Sequence, residues 1–241
     1  MSPDAILDLS DLTKIFFGFR ALDGLSLHVA KGEILGLVGP NGSGKTTCIN
    51  VISGLYAPES GSVKFFGEEI AGLAPHKLVH RGVNRTFQVP KPFMQLTARE
   101  NVEVAIAYGR NPDGAVDARD LLASLNLDAV AERRAAELNS AQQKTLDLAR
   151  ALATGPKLLL VDELAAGLNP SELDWVAGKL KELARAGMSI IVVEHLMGFI
   201  EQVTDRVVVM NAGKEIFGGK LAEAVQDKQV IEVFLGGGHG H

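Results

Sequence analysis

The chain has 241 residues, 46% of them hydrophobic, one cysteine and a formal charge of -5. That is enough apolar mass for one or two folded domains with a substantial core, and it leaves no global positive field to attract nucleic acid or an anionic membrane. No apolar run approaches a bilayer span, the N-terminus lacks a basic segment followed by an apolar one, and a single cysteine makes no internal disulfide. The expectation is a folded protein of a reducing compartment, neither integral nor secreted.

Strands are predicted near Ile6 to Leu12, Leu25 to Val29, Ile34 to Val38 and Ser62 to Phe66, with turns at Lys31-Gly32 and Pro58-Glu59-Ser60-Gly61. Phe16 and Phe17 precede the third strand, where an aromatic either stacks on a nucleotide base or packs in the core. Between that strand and a helix predicted over Lys45 to Leu55 lies Gly39-Pro40-Asn41-Gly42-Ser43-Gly44-Lys45-Thr46-Thr47, which fits G-x-x-x-x-G-K-[ST]. The glycines let the backbone fold tightly, so that amide N–H groups and the helix N-terminus point at phosphate oxygens. Lys45 then reaches the β- and γ-phosphates, and the Thr46 hydroxyl completes the oxygen shell of Mg2+. Cys48 reads as a small buried residue on the same helix, placed so that a thiol reagent reaching it would block nucleotide binding.

The stretch from Ala74 to Lys91 carries His76, Lys77, His80, Arg81, Arg85 and Lys91 and no acidic residue, a pattern usual for a solvated face. Within it Val83 to Gln88 is a predicted strand ending in glutamine. The stiff loop Val89-Pro90-Lys91-Pro92-Phe93-Met94 follows as a candidate docking surface. Helical periodicity at Val102, Ala105 and Ile106, and again at Leu121, Leu122 and Leu125, is broken by Asn111-Pro112-Asp113-Gly114, and a further helical segment is expected to run to Ala136. After Leu138-Asn139-Ser140-Ala141-Gln142-Gln143-Lys144 a helix continues to about Thr154, ended by Gly155-Pro156.

Leu158 to Glu163 is an apolar strand that delivers two adjacent carboxylates at its C-terminal end, where ligands of parallel sheets sit. Asp162 is the candidate for the Mg2+ shell, and Glu163 for orienting and polarising the attacking water. A helix from Ser171 to Ala186 leads to the strand Ser189 to Val193, which ends at Glu194-His195 and makes His195 a candidate contact of the γ-phosphate. A strand near Val207 to Met210, a hairpin through Asn211 to Lys214 and a helix ending near Leu235 close the fold. The segment 236–241 is predicted to be a mobile tail.

In this order and spacing the segments resemble the ATP-binding subunit of ABC transporters. The resemblance covers nearly the whole chain: the aromatic Phe16, the P-loop, the Q-loop Gln88, the signature segment Leu138 to Gln142, the Walker B pair Asp162-Glu163, the D-loop around Asn169, and His195. More narrowly, Arg85-Thr86-Phe87-Gln88, Thr97-Ala98-Arg99-Glu100-Asn101-Val102 and Ala165-Ala166-Gly167-Leu168-Asn169-Pro170 are similar to the LivG-like cassettes of branched-chain amino acid importers.

The resemblance implies an α/β P-loop cassette with a mixed-sheet core, an antiparallel β subdomain and an inserted helical subdomain. Residues 1–95 and 156–235 would form the core, and 96–155 the helical subdomain. It implies ATP and Mg2+ as ligands, with Thr46, Gln88 and Asp162 around the metal and Lys45, Gln88, Glu163 and His195 in catalysis. A second cassette would contribute its own Asn139-Ser140-Ala141-Gln142 equivalent to each shared site. Permease subunits, and through them a solute-binding protein, would be the other partners, at the cytoplasmic face of the cell membrane.

One departure bears on mechanism. The family's usual signature is Leu-Ser-Gly-Gly-Gln, whereas Asn139 stands here for the serine and Ala141 for a glycine. Asparagine still donates a hydrogen bond, but a β-carbon is costly where φ is positive. The pattern suggests a heterodimer in which this chain completes its partner's site poorly. It also raises an alternative, an ATP-gated interaction subunit with little hydrolysis, in a complex for other cargo such as an amide, urea or lipid. Leu164 and Leu196, where proline and aspartate are common, are tolerable departures.

Overall fold

Two patterns of burial in the strands set the layers of this molecule. The computed structural model describes residues 5–109 and 116–236. β1 (Ala5–Phe16) and β2 (Phe19–Ala30) form a long antiparallel hairpin around Phe17-Gly18, both at positive φ. The next strand in sequence, β3 (Ile34–Val38), belongs elsewhere, whereas β4 (Ser60–Phe65) pairs with β1, and β5 (Glu68–Glu69) with β4. The result is an antiparallel sheet in the order β2-β1-β4-β5. Its strands alternate between buried and open positions, as expected of a sheet with one face on the core.

The second sheet is made of continuous apolar runs. With β3 it contains β6 (Val83–Arg85), β7 (Leu158–Asp162), β8 (Ser189–Val193), β9 (Arg206–Asn211) and β10 (Lys214–Gly219), in the order β10-β9-β3-β8-β7-β6. Every neighbouring pair is parallel except β9 with β10. Successive residues feed different cores: Leu35, Leu37, Leu158, Leu160, Ile191 and Val193 pack with the antiparallel sheet. Ile34, Val38, Leu159, Val161, Ile190 and Val192 pack with helices on the other face. A strand buried on both faces has no polar side to alternate with, which is why these runs read as unbroken.

Nine helices occur among the described residues: α1 (Lys45–Ile52), α2 (Pro75–Arg81), α3 (Ala98–Tyr108), α4 (Ala118–Ser124), α5 (Ser140–Ala153), α6 (Pro170–Arg185), α7 (Met197–Val203), α8 (Leu221–Ala224) and α9 (Lys228–Gly236). Three of them start on the same device. Thr97 with Glu100, Asn139 with Gln142, and Asn169 with Glu172 form reciprocal capping boxes at the heads of α3, α5 and α6.

Several boundaries differ from expectation. The helix expected to run to Ala136 is replaced by two short 3-10 turns, Asp128–Val130 and Ala135–Glu137. Its backbone is used instead to hold the start of α3: Ala98 N donates to Arg133 O, Arg99 N to Ala131 O, and Ala135 N to Leu96 O, each at 2.9 Å. The strand expected to reach Gln88 ends at Arg85, because the Phe87 N–H turns out of the ladder to Asp147 Oδ2 at 2.8 Å. α1 stops at Ile52, before a turn with Gly54 at positive φ. Gly236, expected in the tail, is the last residue of α9, while 237–241 and the predicted break at Asn111 to Gly114 lie outside the described residues. Cys48 is fully buried on α1, as expected, and burial pushes its thiol up to about 12, which disfavours the thiolate that a reagent would attack.

Candidate active site

Parallel strands bring their C-terminal ends to one edge of the sheet, and four of the sequence-selected segments leave from that edge. The P-loop follows β3, Gln88 lies just past β6, Asp162-Glu163 ends β7, and Glu194-His195 follows β8. A cleft of about 310 Å³ there is lined by Phe16, Phe19, Ala21, Asn41, Gly42, Gly44, Lys45, Thr46, Thr47, Glu163 and His195. Phe16 thus stands at the cleft, edge-on to Tyr56 with ring centroids 5.1 Å apart, whereas Phe17 is wholly exposed at the hairpin tip.

The loop is shaped for something other than side chains. At Gly39 (φ +149°) a β-carbon would lie 2.2 Å from Met210 O, and at Gly44 (φ +105°) 2.5 Å from Ala21 O. Only glycine fits either place. Ser43 Oγ is buried and makes no hydrogen bond among the described residues, an orphaned polar atom inside the cradle. Lys45 is nearly buried and its ammonium donates to Gly39 O at 2.8 Å and Pro40 O at 2.9 Å. Burial pushes its pKa down, opposed by the carboxylates of Glu163 and Asp162. An oxyanion arriving there replaces two weak carbonyl partners with a charged one.

Glu163 is held on both carboxylate oxygens: Gln88 Nε2 donates to Oε2 at 2.7 Å, and His195 Nε2 lies 3.2 Å from Oε1. Its backbone sits at φ +51°, a left-handed conformation that non-glycine residues seldom adopt. Asp162 is deeper. Its Oδ2 accepts from the Arg85 guanidinium at 3.1 Å, with side chains only 2% and 8% exposed. Burial pushes the Asp162 carboxyl up, and Arg85 is the main influence pulling it down. Arg85 also donates to Asn50 Oδ1 at 2.6 Å and Ser53 Oγ at 3.2 Å, so one guanidinium ties β6 to β7 and to α1.

The signature residues are elsewhere. Asn139, Ala141 and Gln142 line a separate cleft of about 330 Å³ together with Ser171, Glu172 and Trp175, beside the α6 cap Asn169. Ser140 is the first residue of α5. Ala141 follows it with right-handed helical backbone, so its β-carbon carries no positive-φ strain. Asn139 Oδ1 is committed to the Gln142 N–H at 2.8 Å.

The sequence reading gave no role to Arg85, Phe19, Lys144 or Glu194. Glu194 adjoins His195 and is the one of these with a visible signal: an acid at the end of an apolar strand, in the same position relative to β8 as Glu163 to β7.

The family described as ABC transporter matches residues 22–166. The chain belongs to that family and is an ATP-binding cassette, of the class of ATPases that drive transport. More specifically, it is 37% identical over 245 residues to a probable branched-chain amino acid transport ATP-binding protein, LivG, of Archaeoglobus fulgidus, covering 96% of this chain and 95% of the relative. Among solved structures, a nucleotide-free ATP-binding cassette from an ABC transporter superposes with a TM-score of 0.86 at 32% identity, covering 95% of this chain and 98% of that one. A dimeric post-hydrolysis cassette bound to ADP and Pi superposes with a TM-score of 0.79 at 27% identity, covering 89% and 98%.

Proposed function

We propose that this chain is the ATP-hydrolysing subunit of an importer for branched-chain or other hydrophobic amino acids. The observation that carries the hydrolytic part is the Glu163 carboxylate, gripped by Gln88 and His195 at the lip of the P-loop cleft. The cargo rests on likeness to the LivG relative.

In this reading ATP lies along the cleft with its base toward Phe16 and its phosphates in the Gly39–Thr47 loop. Lys45 exchanges the Gly39 and Pro40 carbonyls for β- and γ-phosphate oxygens, and Ser43 Oγ gains a partner. Thr46, Gln88 and Asp162 supply oxygen donors only, which suits Mg2+. When bound, Mg2+ neutralises charge on the transferring phosphoryl group. Asp162 has one oxygen committed to Arg85 and offers the other to the metal shell. Glu163 orients and polarises the attacking water, and His195 faces the γ-phosphate side of the same cleft.

The separation of the signature cleft from the P-loop cleft supports a shared site, in which the signature of a second cassette completes each nucleotide pocket. We assign a different cassette as partner because of Asn139 and Ala141. The exposed Val89, Phe93 and Met94 are the proposed contact with permease subunits, in the family's usual place for it. No helix among the described residues is long and apolar enough to cross a membrane, so those permeases supply the path. They would hold this chain at the cytoplasmic face and link it indirectly to a solute-binding protein. Residues 96–155 are proposed as the helical subdomain that moves against the core.

The test is Glu163→Gln in the assembled transporter. Turnover is expected to fall by about 10²–10⁴-fold, the usual weight of a general base, while ATP binding persists and the closed dimer accumulates. Undiminished turnover removes Glu163 as the base.

A further inference from the structure

Glu163 is fixed by more than the two side chains that grip its carboxylate. The Lys144 ammonium, from the first turns of α5, donates to the backbone carbonyls of Glu163 at 3.1 Å, Leu164 at 3.4 Å and Ala166. That uses all three of its protons. The Glu194 carboxylate, only 2% exposed, accepts the Ala165 N–H of the same turn at 2.6 Å. Glu163 N itself donates to Val193 O at 2.9 Å. The turn 163–166 is therefore bracketed by a cation on its carbonyls and an anion on its amide, and the two charges attract each other.

We propose that Lys144 and Glu194 are positioning residues for Glu163, bracketing the 163–166 turn so that the carboxylate faces the P-loop cleft. The turn needs such support because Glu163 holds a left-handed backbone conformation without being glycine, and such conformations persist only where surroundings over-determine them. Burial disfavours the charged form of Glu194 and partial burial that of Lys144, and each charge favours the other's ionisation, so losing either one weakens both holds on the turn. Lys144 also lies two residues beyond Gln142, so the helix whose head carries the signature is tied directly to this chain's own Glu163 carbonyl. A tilt of α5 on engaging the partner is thereby transmitted to Glu163.

The inference rests on Glu163 being the base, and the experiment separates the two. In the assembled transporter Lys144→Met is expected to lower kcat about tenfold or more with ATP KM moving less than about threefold, and Lys144→Arg to restore most of kcat. The paired variant Lys144→Met with Glu194→Gln removes the half-buried cation and the buried anion together, while the substituted side-chain amide keeps an oxygen that accepts from the Ala165 N–H. Its thermal midpoint is expected to recover toward wild type while kcat stays low. Recovery of stability and turnover together marks a merely structural pair and overturns the proposal, as does wild-type kcat in Lys144→Met. If Glu163→Gln shows that Glu163 is not the base, hydrogen exchange at the Ala165 amide still tests the bracket: faster exchange in Lys144→Met supports it, and unchanged exchange overturns it.

Discussion

Gln88 and Glu163 stand at the ends of adjacent strands, β6 and β7, and are joined by a 2.7 Å hydrogen bond from the glutamine amide to the carboxylate. The amide holds the carboxylate in place, and it also ties a catalytic candidate to the loop that follows, where Val89, Phe93 and Met94 are exposed. Gln88→Ala frees one carboxylate oxygen and is expected to lower kcat about tenfold, against the larger loss for Glu163→Gln. Equal losses in the two variants, measured by steady-state ATP hydrolysis, would show that Gln88, through its carboxylate contact and its proposed place in the metal shell, weighs as much as the base itself.

Two of the three P-loop glycines, Gly39 and Gly42, differ in a way that stability can read. At Gly39 a β-carbon would run into the Met210 carbonyl, whereas at Gly42 (φ +78°) it would meet open space. Gly42→Ala therefore costs only the left-handed backbone, about 1–2 kcal/mol. Gly39→Ala must also displace β9 from the loop and is expected to cost clearly more, with nucleotide binding lost. Urea unfolding of the two variants, with nucleotide titration, checks the order; a Gly42→Ala variant as unstable as Gly39→Ala contradicts it.

What was legible in the sequence follows the same physics. β3 and β8 match their predicted bounds because each is an unbroken apolar run closed by a glycine or a charged residue. The phosphate loop needs a fixed spacing of glycines and lysine and so is legible too. The segment before Ala136 misled because Leu127 and Val130 have helical spacing, yet their neighbours spend their backbone groups on the head of α3. That partnership is distant in sequence and leaves no local mark. Lys144 and Arg85 were invisible as site residues for a related reason: each acts on groups distant in sequence, and a lone cation in a helix or strand reads as solvated until the fold places acceptors around it.

The buried carboxylates set a pH dependence. Burial pushes Asp147 up despite the Phe87 N–H and the Arg150 and Arg85 charges, and it does the same to Asp162, Glu194 and Glu215. A group with a raised folded-state pKa binds more protons folded than unfolded in the interval between the two values. Its contribution is fully present below the unfolded pKa and is lost as pH rises through the folded one. The chain should therefore lose stability as pH rises from the ordinary carboxylate range toward neutrality. Asp147→Asn keeps an oxygen for the Phe87 N–H and removes one of the titrating groups, so its urea midpoint should fall less over that interval. A slope unchanged from wild type would remove Asp147 from this set.

The altered signature can be tested without disturbing the fold. Asn139 caps α5 by accepting from Gln142 N at 2.8 Å and donating its own N–H to Gln142 Oε1 at 3.1 Å, and serine caps comparably. Ala141→Gly, in the first turn of α5, costs at most about 1 kcal/mol. The double variant Asn139→Ser with Ala141→Gly should thus fold as the parent does, and any change in activity reports on the site it completes. In the proposed shared-site reading that site is the partner's, and the distinctness of the signature cleft from this chain's P-loop cleft supports it. If the assembled pair has one competent site, restoring the second should raise ATP turnover toward about twice the parent value. The sharper arm uses the Glu163→Gln background, where this chain's own site is silent and any gained hydrolysis must come from the partner's nucleotide. Turnover that reappears there places the defect in Asn139 and Ala141. Unchanged hydrolysis and transport in both backgrounds would mean that the capped asparagine and the helical alanine serve the partner's phosphate as well as serine and glycine do, and the asymmetry would be abandoned.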